Sequence, residues 1–321
     1  MSILVTGGAG FVGSHVLDRL AGMGRRAVCL DNFNDYYSAA VKRDNIAGAL
    51  ASGAVELAEG DICDPELCRR VFELHSVRQV IHLAARAGVR PSIREPRLYE
   101  RVNCQGTVNL LECARRAGTE IFIFGSSSSV YGLSERVPFR EDDPAERPIS
   151  PYAATKRAGE LMCHSYHHLY GMRVVSLRFF TVYGPRQRPD LAITKFARLI
   201  EASRPIPVYG DGSSRRDYTY VSDIVDGVIA ALESDLDYEI INLGNSDPVP
   251  LSRMVAMVEE ALGTKAEIDR RPDQPGDVPV TYADISKARR LLGYEPRVPF
   301  AEGLKAFVQW FREGGPERRT V

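Results

Sequence analysis

Ile3-Leu4-Val5-Thr6-Gly7-Gly8-Ala9-Gly10-Phe11-Val12-Gly13-Ser14-His15-Val16-Leu17 is the stretch on which the fold turns. A short apolar run, long enough for a buried strand, leads into three glycines and then into apolar residues at helical spacing. Gly7, Gly10 and Gly13 let the backbone turn tightly, let a pyrophosphate approach the chain, and let strand and helix pack closely, with the phosphate at the helix N-terminus. Glycine triplets alone are weak evidence, but here the strand–glycine–helix context is complete. The next apolar run, Ala27-Val28-Cys29-Leu30, ends at Asp31, eighteen residues beyond Gly13. A carboxylate there accepts hydrogen bonds from an adenosine ribose and repels a 2′-phosphate, which points to NAD rather than NADP.

Outward from this unit the alternation continues. Val55-Glu56-Leu57-Ala58 leads to Gly60-Asp61-Ile62, Val80-Ile81-His82-Leu83 to Ala84-Ala85, and Ile121-Phe122-Ile123-Phe124 to Gly125-Ser126. Val174-Val175-Ser176-Leu177 and Ile240-Ile241-Asn242-Leu243 supply two more strands. Strands alternating with helices require right-handed crossovers and a parallel sheet, so the expected class is α/β: a Rossmann-type sheet with helices on both faces. Ligands collect at the carboxyl ends of such strands, which places Asp61, Ala84 and Ala85 beside the dinucleotide.

The 321 residues are 44% hydrophobic and 26% charged, as expected of a large core in one big domain and a smaller one. A net charge of −1 gives no basic field for nucleic acid or membrane, and no apolar run approaches the ~20 residues of a membrane span. The N-terminus enters a strand without a basic leader, so a cytoplasmic location is expected. Six scattered cysteines without Cys-x-x-Cys spacing read as reduced, packed thiols. His164, His167 and His168 lack cysteine or carboxylate partners at ligand spacing, so no metal site is expected.

The chemistry concentrates in Ser150-Pro151-Tyr152-Ala153-Ala154-Thr155-Lys156. Tyr152 and Lys156 lie one helical turn apart, so both project from one face. A phenol is a poor base at neutrality unless a neighbouring ammonium favours the phenolate, and such a pair serves proton transfer. An isolated Tyr-x-x-x-Lys is more often a packed tyrosine and a solvated lysine. The serine run ending in Val130-Tyr131-Gly132 and the nucleotide signature weigh against that here.

Thr6 to Gly13, His82 to Ala85, Ser126 to Gly132, Ser150 to Lys156 and Arg215-Arg216-Asp217-Tyr218-Thr219-Tyr220-Val221 together resemble the extended short-chain dehydrogenase/reductases that act on nucleotide sugars. Within that family Asp31 to Tyr37, Ala87 to Ser92 and Thr181 to Pro189 are most similar to UDP-glucuronate 4-epimerases. The resemblance implies that Tyr152 takes the proton of the sugar 4-hydroxyl and that Ser127 bonds the same hydroxyl. Lys156 would hold the nicotinamide ribose while hydride passes to NAD and returns to the other face of the 4-keto sugar. It also brings Phe11, Val12, Asn32, Ile62, Leu83, Asn103 and Phe180 to the cofactor.

A uronate substrate sets a chemical problem. Its 4-ketone is a β-keto acid, which readily loses carbon dioxide. Decarboxylating relatives carry a glutamate, and 4,6-dehydratase relatives an Asp-Glu pair, where this chain has Ser128-Ser129; neutral hydroxyls bond a carboxylate that a protein carboxylate would repel. Arg188 is the first candidate for the carboxylate pocket and Arg90 the second, since the planar guanidinium suits carboxylates and phosphates. Thr181 replaces an asparagine of galactose-type relatives. Family matching adds Lys195, places Val208 and Tyr209 near the uracil and Arg216 on the diphosphate, and adds Gln274 and Asp277 from a substrate-contacting turn.

The expected domains are 1–178 with about 218–243 for NAD, and 179–217 with 244–315 for the nucleotide sugar. The expected reaction interconverts UDP-glucuronate and UDP-galacturonate without decarboxylation, in a homodimer built from helices near 103–117 and 152–170. Two alternatives are a UDP-glucose/galactose 4-epimerase and a non-catalytic NAD-sensing scaffold on the same fold, the latter disfavoured by the intact Tyr152 and Lys156.

Overall fold

Seven strands form one parallel sheet in the computed structural model, which describes residues 2–272 and 278–314. They are β1 (Ser2–Thr6), β2 (Ala27–Asp31), β3 (Val55–Glu59), β4 (Val77–His82), β5 (Ile121–Ser127), β6 (Val174–Phe179) and β10 (Tyr238–Leu243). Their order is β10-β6-β5-β4-β1-β2-β3, so the direction of winding reverses between β1 and β4 and opens a crevice at the carboxyl ends there. Every residue of β1, β2 and β5 is buried, as expected of strands covered on both faces.

Side-chain alternation divides the interior in two. Ile3, Val5, Cys29, Ile123 and Val175 face the helices Phe11–Gly22 and Val221–Glu233. Leu4, Val28, Leu30, Phe122 and Phe124 face Pro65–His75, Gly106–Ala117 and Pro151–Tyr170. The last of these helices starts by local rule. Ser150 accepts a hydrogen bond from the Ala153 amide at 3.2 Å, and Pro151 occupies the first turn, where its missing N–H is no loss.

A third core, from Tyr183, Phe196, Ile206, Tyr218, Met254, Phe300 and Phe307, lies apart from these two. It includes β7 (Thr181–Tyr183), β9 (Arg215–Tyr220) and β11 (Pro248–Pro250) as one sheet, and β8 (Ile206–Tyr209) with β12 (Ile268–Arg271) as another. The helices Ala192–Glu201, Leu251–Leu262 and Phe300–Arg312 complete it.

All six cysteines are free thiols, and among the described residues no histidine, cysteine and carboxylate cluster has the makings of a metal site. His167 stacks on Tyr238 instead, and its Nδ1 meets the Met172 carbonyl at 3.1 Å. No described helix is long and apolar enough to cross a membrane.

Candidate active site

The glycine loop between β1 and the helix Phe11–Gly22 is built for close approach. A Cβ on Gly13 would lie 2.2 Å from the Gly7 carbonyl oxygen, and one on Gly7, whose φ is +67°, would lie 2.7 Å from the Ala84 amide nitrogen. Asp31 fastens the loop to β2 by accepting from the Ala9 amide at 3.1 Å and the Phe33 amide at 2.9 Å. Burial pushes its carboxyl above the ordinary range, against the pull of those amides and of Lys42. Gly10 caps the helix without a side-chain hydrogen bond to the first-turn N–H groups, and Gly10 to Gly13 line the cleft. These groups and the small-residue cradle fit a pyrophosphate, and hence a dinucleotide.

The cleft is lined by Gly7, Gly10, Phe11, Val12 and Gly13, by Asp31 and Asn32, by Asp61 and Ile62, by Leu83, Ala84 and Ala85, and by Tyr152 and Lys156. Asn32 donates to the Asp61 carboxylate at 3.0 Å, joining the ends of β2 and β3. Asn103 lies just outside this lining: its amide donates to the Arg86 carbonyl and to the Thr155 hydroxyl, while its carbonyl accepts from the Arg86 amide. It therefore clasps the strand end after β4 to the tyrosine helix, from a five-residue stretch of widened π-type helix, Arg101–Gln105. Phe180 packs with Tyr131 and Phe139, and it is Phe179 that reaches the cleft.

Three residues of the helix Pro151–Tyr170, each one turn from the next, dock on three successive residues of β5. Ser127 stands by the Tyr152 phenol and favours its ionised form, Lys156 donates to the Gly125 carbonyl at 2.6 Å, and Glu160 accepts from Ser126 at 2.6 Å. Burial raises the Tyr152 phenol above its ordinary value, while Ser127 and the Arg188 guanidinium pull it down. Arg188 thus favours the phenolate from across the cleft, while the Lys156 ammonium bonds the carbonyl of Gly125 in β5. Burial lowers the Lys156 ammonium to about 8, opposed chiefly by Glu160.

Arg188 lines the same cleft, 5.6 Å over the Tyr36 ring, and bonds Asp190 through Nε and Nη2, each at 2.9 Å. Ser127 caps the turn Ser128–Tyr131 and donates to the Ser129 hydroxyl at 3.0 Å, leaving Ser128 and Ser129 half-buried. Arg90 lies 4.8 Å over the Tyr209 ring, so these two candidates meet each other. Val208 is buried in the third core; Thr181 and Lys195 are half-buried in β7 and the helix Ala192–Glu201; Arg216 donates to the Arg215 carbonyl in β9. Gln274 and Asp277 lie outside the described residues.

Among the cleft or near-cleft residues that sequence reading missed, four stand next to the proposed chemistry. Tyr36 and Asp190 support Arg188; Arg86 lines the cleft; Tyr99 stands edge-on to Tyr152 with ring centroids 6.3 Å apart. Tyr36 lies within the quoted stretch Asp31 to Tyr37 and Asp190 directly follows the stretch Thr181 to Pro189, and an acidic residue two places from a candidate arginine is the signal that could have drawn attention to Asp190. Tyr99 sits in a five-residue helix, Pro96–Glu100, with no pattern to mark it.

Comparison with known proteins places this geometry. The family model described as GDP-mannose 4,6 dehydratase matches residues 4–307. UDP-glucuronate 4-epimerase 4 of Arabidopsis thaliana is 44% identical, over 97% of this chain and 75% of that one. The structure of UDP-glucuronic acid 4-epimerase from Bacillus cereus in complex with UDP-glucuronic acid and NAD is 36% identical, with a TM-score of 0.93 over 98% of this chain and 99% of that one. UDP-glucose 4-epimerase of Thermotoga maritima with UDP-glucose is 34% identical, with a TM-score of 0.91 over 98% and 99%. With the match running from β1 into the last helix, the chain belongs to the GDP-mannose 4,6 dehydratase family, within the extended short-chain dehydrogenase/reductases.

Proposed function

We propose that this chain is an NAD-dependent isomerase that inverts C4 of UDP-glucuronate to give UDP-galacturonate, with retention of the carboxylate. The observation that carries the reading is the meeting, in one cleft, of the glycine loop, the Ser127–Tyr152–Lys156 set and Arg188. The similarity to epimerases named for UDP-glucuronate, including one solved with UDP-glucuronic acid and NAD, supports it.

NAD, held in the glycine-loop cleft, would supply the hydride acceptor for C4 of the sugar and the hydride donor for the 4-keto carbon. The chain's own residues handle the proton and the orientation. Tyr152 Oη receives the proton of the 4-hydroxyl, with Ser127 Oγ holding that hydroxyl in line. Lys156 binds the nicotinamide ribose, and the first-turn amides after Gly10 hold the pyrophosphate. Arg188, Ser128 and Ser129 take the uronate carboxylate. Thr181, Lys195, Val208, Tyr209, Arg216, Gln274 and Asp277 complete the UDP-sugar side, with Arg90 stacked over Tyr209 across it. The segments 179–217 and 244–315 form the sugar-binding domain, and 1–178 with 218–243 the NAD-binding domain.

We also assign a homodimer to the face of the helix Pro151–Tyr170 that carries Ala154, Ala158, Leu161, Ser165 and Leu169, with Leu161 52% and Leu169 65% exposed. These positions form one helical stripe, and apolar side chains so placed call for a partner surface. A Leu161→Glu change should then give a monomer by light scattering, and an unchanged mass would remove the assignment.

Turnover of UDP-glucuronate to UDP-galacturonate by the purified protein with NAD tests the function. Conversion of UDP-glucose in preference to the uronate would instead establish the neutral hexose epimerase.

A further inference from the structure

An unrestrained arginine meets a carboxylate best through two parallel N–H donors along one edge of its guanidinium. In this chain the edge bearing Nε and Nη2 is already taken by the two oxygens of Asp190, at 2.9 Å each. Pro189 stands between the two residues, and its ring fixes the backbone that sets their spacing. Asp190 is itself held: the Tyr36 hydroxyl donates to its Oδ2 at 3.3 Å, from the loop that follows β2. The preceding residues are anchored to the helix Phe11–Gly22, where Arg186 pairs with Asp18 at 2.6 Å and His15 meets the Pro185 carbonyl at 3.0 Å. The segment that carries Arg188 is thus fastened at both ends to the part of the chain that builds the cofactor loop.

We propose that Asp190 is a positioning residue for carboxylate recognition: it holds Arg188 by the Nε–Nη2 edge, so that the guanidinium is turned to meet the sugar carboxylate through its other edge, formed by Nη1 and the second N–H of Nη2. The inference rests on the UDP-glucuronate reading above. Arg188 and Asp190 together carry no net charge, so the uronate is recognised by directed N–H donors rather than by an unpaired cation, and recognition depends on how the guanidinium is turned. That orientation governs the fate of the 4-keto intermediate. In the unwanted reaction the C5–C6 bond breaks, its electron pair passes to the C4 ketone as an enolate that takes up one proton at C5, and carbon dioxide leaves. The bond breaks readily only when it aligns with the carbonyl π system, so a carboxylate held out of that alignment survives.

The test uses the full chain with bound NAD and the variants Asp190→Asn, Asp190→Ala and Tyr36→Phe. Proton NMR and a carbon dioxide trap follow UDP-glucuronate, and UDP-glucose is measured as a competitor. Loss of a charge-assisted contact predicts a KM for UDP-glucuronate raised about tenfold or more in Asp190→Ala, with carbon dioxide and a UDP-pentose formed that the wild type does not form. The inhibition constant of UDP-glucose should stay within about twofold, because a neutral sugar makes no use of the arginine's orientation. Tyr36→Phe, which removes one hydroxyl, should move KM and product partition in the same direction by less. If Asp190→Ala loses NAD or its cooperative unfolding, Asp190→Asn, which keeps the shape and removes the charge, carries the same prediction. Variants that epimerise with unchanged KM and no carbon dioxide overturn the proposal while leaving the function standing. A wild type that leaves UDP-glucuronate untouched overturns both.

Discussion

Glu160 holds Arg178 through two hydrogen bonds of 2.8 Å each, and both side chains are almost wholly buried. The remaining Arg178 nitrogen, Nη1, has no hydrogen-bond partner, and the guanidinium lies 4.6 Å over the Tyr131 ring. This pair sits directly beneath the Tyr152–Lys156 face, because Glu160 is one turn beyond Lys156 and also takes the Ser126 hydroxyl.

Removing one member leaves a buried charge uncompensated. Glu160→Gln is therefore expected to cost about 3–5 kcal/mol of folding stability, the usual consequence of breaking a buried ion pair from one side. Urea denaturation followed by circular dichroism measures it. A loss below ~0.5 kcal/mol, the level of an ordinary surface substitution, would show that the pair is structurally idle.

The phenol of Tyr152 is raised by burial and answers to Ser127 and Arg188. Tyr152→Phe deletes the proton acceptor without changing the shape of the ring. Turnover should fall about 10²–10⁴-fold, the range for loss of a general acid–base group, with NAD content unchanged. Activity within a factor of two of wild type would mean that another group moves the proton.

The glycine loop gives a prediction independent of the sugar. A Cβ on Gly13 would approach the Gly7 carbonyl oxygen to 2.2 Å, and backbone cannot move aside as a side chain can. Gly13→Ala should cost about 1–3 kcal/mol, as overpacking does, and the purified protein should lose bound NAD, read from its ultraviolet spectrum. Full NAD retention would show that the loop is not the pyrophosphate site.

His82 tests the interior of the sheet. It is 1% exposed, with Nδ1 2.7 Å from the Thr6 hydroxyl and Nε2 2.9 Å from that of Thr107, and burial, aided by Lys156, lowers its pKa from 6.5 to about 3. The folded state keeps this ring neutral where the unfolded chain protonates it. Its contribution is present in full above pH 6.5 and is lost as pH falls toward 3. The stability gap between wild type and His82→Gln should narrow by about 1.4 kcal/mol for each pH unit below that of the free imidazole. A gap constant from pH 7.5 to 5, the range over which a free imidazole titrates, would contradict a neutral buried His82.

Much of this was written locally. The seven core strands were legible because each is a short apolar run, closed by small or acidic residues in all but β6, which runs on into Arg178 and Phe179. The Tyr152 helix announced itself by Ser150 and Pro151. What sequence could not show is which groups meet across the fold. The Lys156 ammonium bonds the Gly125 carbonyl, and Arg188, thirty-six residues from Tyr152 in the chain, also favours the phenolate. Asp190 was hidden because its role depends on Tyr36, a contact made across 154 residues. Phe179 and Phe180 could not be told apart without the direction of the last residues of β6.

The most direct measurement is proton NMR of the purified protein with UDP-glucuronate and catalytic NAD, following the sugar anomeric signals together with trapped carbon dioxide. The account predicts UDP-galacturonate accumulating to equilibrium with no carbon dioxide released. Formation of a UDP-pentose with carbon dioxide, or conversion of UDP-glucose while UDP-glucuronate stays unchanged, would contradict it.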